Sequence, residues 1–309
     1  MTEAKPKVSL VTPSFDQEGL IGATLASVLD QDYPHLEYVV IDGGSSDRSP
    51  AIIESYAEKL AYWVSEPDDG HYPALNKGFA KTDGEIMGYL NGDDLLLPGS
   101  LNLIARLFAD FPEVDWITGA YMAIDEVGHP VGVTAPSRWS RWHIITEGEG
   151  RSIPQEATFW RRSLWERAGG TMDEGFRLAA DYELWARFSR YSAPTTVRAP
   201  LACFRHVAGQ RSIAQAEDYR AEVLEIRRRE LGLDERSSRS ARSARRLLAL
   251  TRIPGLERAR PVVDTVLGAP LELLYDSASG AFYRRAHSQR SARLLLAALA
   301  STVGRRFPR

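Results

Sequence analysis

The sequence predicts an α/β protein built on a mainly parallel sheet. Three observations carry that expectation. Short β-type runs alternate with segments of helical periodicity, turn-forming residues close each run, and 309 residues with 44% hydrophobic and 26% charged content suffice for a large packed core.

Val8 to Val11 is an apolar run that stops at Thr12-Pro13-Ser14, as a buried first strand does. Leu20, Ile21, Leu25, Val28 and Leu29 then recur at helical spacing, and Leu36 to Ile41 reads as a second strand closed by Asp42-Gly43-Gly44-Ser45. Ser49 followed by Pro50 reads as an N-cap with proline in the first turn, where one N–H is unpaired in any case; Ile52, Ile53, Tyr56 and Leu60 supply the apolar face. Ala61 to Ser65 and Glu85 to Leu90 read as further strands, with helices over Tyr72 to Ala80 and Pro98 to Phe108. After Asp115 come a β-type run from Trp116 to Ile124, an irregular stretch from Gly128 to Gly150, and a helix starting at Asp181 with Leu184, Trp185 and Phe188 on one face. Beyond Gln215 the chain is rich in Arg, Ala and Leu and is interrupted by Pro254, Pro261 and Pro270. The expected division is a body over residues 1–214, with halves of about 1–110 and 111–214, and a basic, mainly helical extension over 215–309.

Composition narrows the function classes. The single Cys203 removes disulfide scaffolds and cysteine-ligated zinc, and the start MTEAKPKVSL lacks a signal-peptide pattern, so a reducing, cytoplasmic setting is expected. No run approaches the ~20 apolar residues of a membrane-spanning helix, the nearest being Leu294 to Ala300. The net charge of −3 conceals an asymmetry: from Gln215 onward there are 19 Arg, no Lys and 11 acids, leaving 19 basic and 30 acidic residues before it. Such a tail suits an anionic surface, including the inner face of a membrane, or equally folds back on its own acidic body. No nucleic-acid partner is expected. Phosphate-loop, dinucleotide-fingerprint, nucleophile-elbow and His-Glu-x-x-His motifs are all missing, which argues against ATPase, dehydrogenase, serine hydrolase and zinc protease chemistry.

Ligands of open parallel sheets bind at the carboxyl edge, and here the strand ends are acidic. They deliver Thr12-Pro13-Ser14, Asp42, then Glu66 with Asp68 and Asp69, then Asn91-Gly92-Asp93-Asp94. Asp42 or Asp68 suits a nucleotide base or sugar. Adjacent Asp93 and Asp94 repel unless a hard divalent cation or a proton compensates. Taken singly, Asp42 also reads as a turn-former and Asp93-Asp94 as a helix cap; their joint placement favours a site. Of the histidines, His71 and His206 sit in polar loops, and His206 is retained as a metal candidate.

Six ordered segments resemble the family 2 glycosyltransferases: VSLVTPSFDQ, VVIDGGSSDRS, SEPDDGHYPALNKGFAKTDGEIMGYLNGDD, IPQEATFWRRSLWERAGG, DYELWARF and FRHVAGQRS. The resemblance covers roughly residues 7 to 214 and implies the GT-A fold, a nucleotide-binding α/β sheet fused to an acceptor-binding half. It implies that Pro13, with Thr12 and Ser14 beside it, and Asp42 contact the donor's base and ribose, and that Asp68 and Lys77 lie near the nucleotide. It makes Asp93 and Asp94 the metal and diphosphate end, with Mg²⁺ or Mn²⁺ as the cation. Asp181, opening the Asp-Tyr-Glu-Leu-Trp segment, becomes the catalytic base, and His206 and Arg211 fall where a late loop closes over the diphosphate. Two departures stand out: Asn91 replaces the first acid of the usual Asp-x-Asp, leaving it to orient the ribose or support a weaker metal site, and Gly43 replaces a common second Asp, as in a related subgroup.

The reaction this resemblance implies is inverting transfer of a sugar from a nucleotide-diphosphate sugar to a hydroxyl of a glycan or glycolipid acceptor in cell-envelope or exported polysaccharide synthesis. Asp181 alternatively serves as a simple helix cap, with Glu183 next in line as base. The rival functions are a nucleotidyltransferase, for which a Gly-rich basic triphosphate loop is missing, and a non-catalytic sugar-nucleotide or glycan-binding module.

Overall fold

The computed structural model describes residues 5–135, 137, 139–147, 153–207, 214–232, 247, 249, 263 and 272–285. The strands are β1 (Val8–Ser14), β2 (Leu36–Asp42), β3 (Tyr62–Ser65), β4 (Ile86–Tyr89), β5 (Leu95–Leu96), β6 (Trp116–Ile124), β7 (Pro130–Thr134), β8 (Thr158–Arg161), β9 (Thr195–Arg205), β10 (Glu272–Asp276) and β11 (Ala281–Arg285). Between them lie α1 (Ile21–Leu29), α2 (Ser49–Glu54), α3 (His71–Phe79), α4 (Ser100–Asp110), α5 (Arg141–Glu147), α6 (Arg162–Arg167), α7 (Ala180–Phe188) and α8 (Ala216–Gly232).

One sheet runs through the protein in the order β11-β10-β9-β6-β8-β4-β1-β2-β3. The β4-β1-β2-β3 end is parallel throughout, as the βαβ pattern requires. The sheet as a whole is mixed rather than mainly parallel, because β8 inserts antiparallel to both β4 and β6. Strand periodicity of two divides the apolar residues between two cores. Leu10, Tyr38 and Val40 face α1 and α4, while Val11, Val39 and Ile41 face α3. Gly78 lets α3 lie close on the sheet, since a Cβ there would come 2.4 Å from Val11 Cγ1. The second core continues into an aromatic stack, with Trp116 and Trp185 ring centroids 5.6 Å apart and Trp160 edge-on to Trp185, which fixes α7 behind the sheet.

Several sequence expectations change. Ser49 is the first helical residue rather than the cap, a position held by Arg48; its N–H donates to Asp47 Oδ1 at 2.8 Å, and Ser49 Oγ accepts from Gln17 N. The stretch from Gly128 to Gly150 contains β7 and α5. The extension is not a separate helical appendage where it is described. Val223 and Ile226 of α8 are buried in the aromatic-rich core, and Glu230, 2% exposed, receives Arg141 Nη2 at 2.8 Å and Arg190 Nε at 3.1 Å. Residues 272–285 form a hairpin that pairs parallel to β9, with buried Glu272 bound to Arg198 at 2.9 Å. Arg211, the three prolines and Leu294 to Ala300 lie outside the described residues. Among the described residues no helix is long and apolar enough to cross a membrane.

Candidate active site

A cleft of about 1030 Å³ opens at the carboxyl ends of β1, β2 and β4. Pro13 and Ser14 form part of its wall, with Ser14 Oγ buried and without a hydrogen-bond partner among the described residues. Thr12 faces inward instead, its hydroxyl 2.8 Å from Tyr38 Oη. Asp42 is fully buried. Its carboxylate accepts from Ser45 N at 2.9 Å, Ser45 Oγ at 2.6 Å and Ser65 Oγ at 2.7 Å, closing a turn in which Gly44 has φ +78°. Asp42 therefore shapes the wall without reaching the cleft. What it positions is Gly43, which lines the cleft where a Cβ would come 3.0 Å from Asp68 Oδ1. Asp68 and Asp69 line the cleft directly, and Lys77 turns aside to Glu66 at 2.9 Å.

After β4 the chain separates the two adjacent acids. Asn91 and Asp93 line the cleft; Asp94 points inward, 1% exposed, with Oδ1 accepting from Arg205 N at 3.0 Å. Burial, and next the neighbouring Asp93, push the Asp94 carboxyl well above the ordinary range. Asp94 is thus withdrawn from the expected pair of metal ligands, because successive residues in this turn face opposite ways. Arg205 Nε also binds the Asp93 carbonyl at 2.8 Å, tying β9 to the turn. His206 is exposed with its ring against Phe204, and Phe204 rather than His206 lines the cleft. No group of three or more His, Cys, Asp or Glu able to hold a metal occurs among the described residues. Asp93 together with Asn91, whose buried Oδ1 has no partner among those residues, is nonetheless an oxygen donor set suited to a hard cation whose other ligands come from a diphosphate.

At the opposite side Asp181, half-buried in the first turn of α7, lines the cleft with its Oδ1 accepting from Tyr182 N at 2.7 Å. Burial raises its pKa to about 6, against the opposing pull of that hydrogen bond and of the Tyr72 hydroxyl. A carboxylate with that value is suited to take a proton near neutral pH. Glu183 is turned away and clamped by Arg187 at 2.7 Å.

Residues 9–165 match the profile of Glycosyl transferase family 2. The chain belongs to that family. An uncharacterized glycosyltransferase of Mycobacterium tuberculosis is 31% identical over 210 residues, which is 66% of this chain and 76% of that protein. The GalNAc(5)-diNAcBac-PP-undecaprenol beta-1,3-glucosyltransferase of Campylobacter jejuni is 28% identical over 105 residues, 33% of this chain and 34% of its own. Among solved structures, S. aureus TarS 1-349 in complex with UDP-GlcNAc superposes with TM-score 0.61 at 15% identity, over 92% of this chain and 97% of that one. The mannosyltransferase PcManGT from Pyrobaculum calidifontis, in complex with GDP-Man and Mn2+, gives 0.56 at 19% identity, over 97% and 81%. The fold is GT-A, as expected, and the nucleotidyltransferase alternative is set aside by the family.

In this family 2 glycosyltransferase two acids of the cleft, Asp16 and Glu156, are not marked by the sequence pattern. Glu156, in the turn Gln155–Ala157, is 4% exposed and lines the cleft; burial lifts its pKa to about 7, with Asp181 and Asp93 adding to the effect. Glu156 is marked in the sequence only as a carboxylate set just before Ala157, Phe159 and Trp160, a setting where an unneeded charge is costly.

Proposed function

We propose that this glycosyltransferase transfers a sugar from a nucleoside-diphosphate sugar to an acceptor hydroxyl with inversion at the anomeric carbon. The observation that carries the reading is a single cleft lined by Asp93 and Asn91 and also by Asp181, a carboxylate whose pKa of about 6 suits a general base. Pro13, Ser14, Gly43 and Asp68 are assigned to the nucleotide. Asp93 and Asn91 are assigned to a divalent cation, Mg²⁺ or Mn²⁺, which when bound neutralises charge growing on the leaving diphosphate. Asp181 takes the proton of the acceptor hydroxyl, that oxygen forms the new bond to the anomeric carbon, and the bond to the diphosphate oxygen breaks on the opposite face. Tyr72 and the Tyr182 N–H hold the Asp181 carboxylate in its charged form.

The acceptor is assigned to a glycan or glycolipid of the cell envelope, supported by the undecaprenol-linked substrate in the name of the Campylobacter relative. Action at the cytoplasmic face of a membrane, with the Arg-rich extension touching anionic lipid, accords with that acceptor. The test is Asp181→Asn, with UDP-GlcNAc and GDP-mannose as donors. Nucleotide release is expected to fall by about 10²-fold or more while donor affinity, read by calorimetry with Mn²⁺, stays within about twofold. Near-normal turnover in the variant would leave Asp181 as an acid of the first helical turn with no part as a base.

A further inference from the structure

We infer that Glu222, on the first helix of the extension, is a positioning residue for Asp181. The inference rests on the reading of Asp181 as general base, and its own observation is a set of three hydrogen bonds. Glu222 Oε1 accepts from Arg177 N at 3.0 Å, and Oε2 accepts from Leu178 N at 2.9 Å and Ala179 N at 2.8 Å. One carboxylate thereby holds the three consecutive peptide N–H groups that lead into α7. Ala179 is the N-cap of that helix and offers no side chain to fix its start, yet its carbonyl accepts the helical bond from Glu183 N at 2.9 Å. Between Ala179 and Asp181 lies a single residue, so the orientation of these peptides sets where the base projects. Charge-assisted bonds to backbone N–H are the stronger kind, and three on one anion define that orientation closely.

Docking of α8 does not need Glu222. Val223 and Ile226 are buried, Arg227 binds the Ile145 carbonyl at 2.9 Å and Glu230 binds Arg141 and Arg190, all independently of the loop. With α8 held by these other contacts, the three bonds tie the loop to a fixed helix. Electrostatics agree with the geometry. The groups that act on Asp181 or feel its charge include Tyr72 of α3, Tyr89 of β4, Glu156 of the turn before β8, and Tyr219 and Glu222 of α8, and His71 and Arg177 line the same cleft. Glu222 disfavours the ionised form of Asp181, so it holds the base in place and raises its proton affinity together.

The experiment compares full-length wild type, Glu222→Gln, Glu222→Ala and Asp181→Asn. Carboxyl-carbon NMR of ¹³C-aspartate protein, with Asp181→Asn assigning the resonance, reads the Asp181 titration directly and needs no substrate. Its midpoint is expected at lower pH in Glu222→Gln than in wild type. Release of UDP from UDP-GlcNAc, or of GDP from GDP-mannose, is expected to fall about tenfold in both Glu222 variants, with nucleotide affinity within about twofold of wild type. A purely structural role would lower the melting temperature and leave the midpoint in place. An unchanged midpoint, or unchanged turnover, in Glu222→Gln overturns the inference. Full turnover by Asp181→Asn overturns the base assignment itself and the inference with it, a result distinguishable because it does not involve Glu222.

Discussion

As the proposed base, Asp181 meets two opposing demands, since a base must be ionised and burial resists the charge. Its pKa rises from an ordinary 3.8 to about 6 in the folded protein, so between those values the folded state binds more protons than the unfolded one. Stability from this group therefore falls as pH rises from about 4 to 6, and above that range the fold carries a cost of about 2 to 3 kcal/mol. Asp181→Asn is expected to raise the urea midpoint at pH 8, with the gain shrinking below pH 6 and vanishing near pH 4. An equal or lower midpoint at pH 8 would show that Asp181 is not held against its charge. Asp93 and Asp94 offer a second contrast at this scale. With Asp94 facing Arg205 N and Asp93 facing the cleft, Asp93→Asn is expected to abolish the Mn²⁺-dependent gain in UDP affinity, and Asp94→Asn to retain it. Calorimetry in Mn²⁺ and in EDTA checks both. Sequence adjacency could bring the pair to one strand end but could not say which side chain turns inward. For Asp42 the turn-former reading is the one the hydrogen bonds carry: its carboxylate satisfies the turn that its own Asp-Gly-Gly-Ser sequence builds.

Among the elements, those legible in the sequence are the ones whose apolar pattern decides their burial. β1 to β4, β6 and helices α1, α3, α4 and α7 fall where periodicity puts them. β5, Leu95–Leu96, is too short to show a period, and β7 is exposed along its length with Val131 and Val133 in solvent, so no buried face marks either in the sequence. β10 is a strand because β9 offers an edge and Arg198 offers a partner for buried Glu272, a tertiary cause invisible in propensity. The Arg-rich composition after Gln215 likewise concealed how tightly α8 joins the body. Glu230→Ala leaves Arg141 and Arg190, themselves 20% and 34% exposed, without their shared carboxylate. A loss of about 2 to 4 kcal/mol is expected in urea unfolding. An unchanged midpoint would mean that α8 contributes nothing to the stability of the catalytic body.

At the level of the whole molecule, one mixed sheet carries both ends of the proposed reaction. Its parallel end supplies Asp93 and the cleft wall assigned to the nucleotide, while β6, β8 and the aromatic stack hold α7, which carries Asp181. That division follows from the sequence as far as the family pattern reaches; Glu156 and Glu222 required the fold, because their partners are far away in the chain. In the proposed reaction a base and a departing diphosphate work on opposite faces of one anomeric carbon. Proton NMR, recorded before mutarotation, of the sugar first released from whichever of the α-linked donors UDP-GlcNAc and GDP-mannose the protein hydrolyses reads that stereochemistry. The β-anomer is expected from wild type, with almost no release from Asp181→Asn and donor still bound. Release of the α-anomer, or unimpaired release by Asp181→Asn, would contradict the proposed reaction.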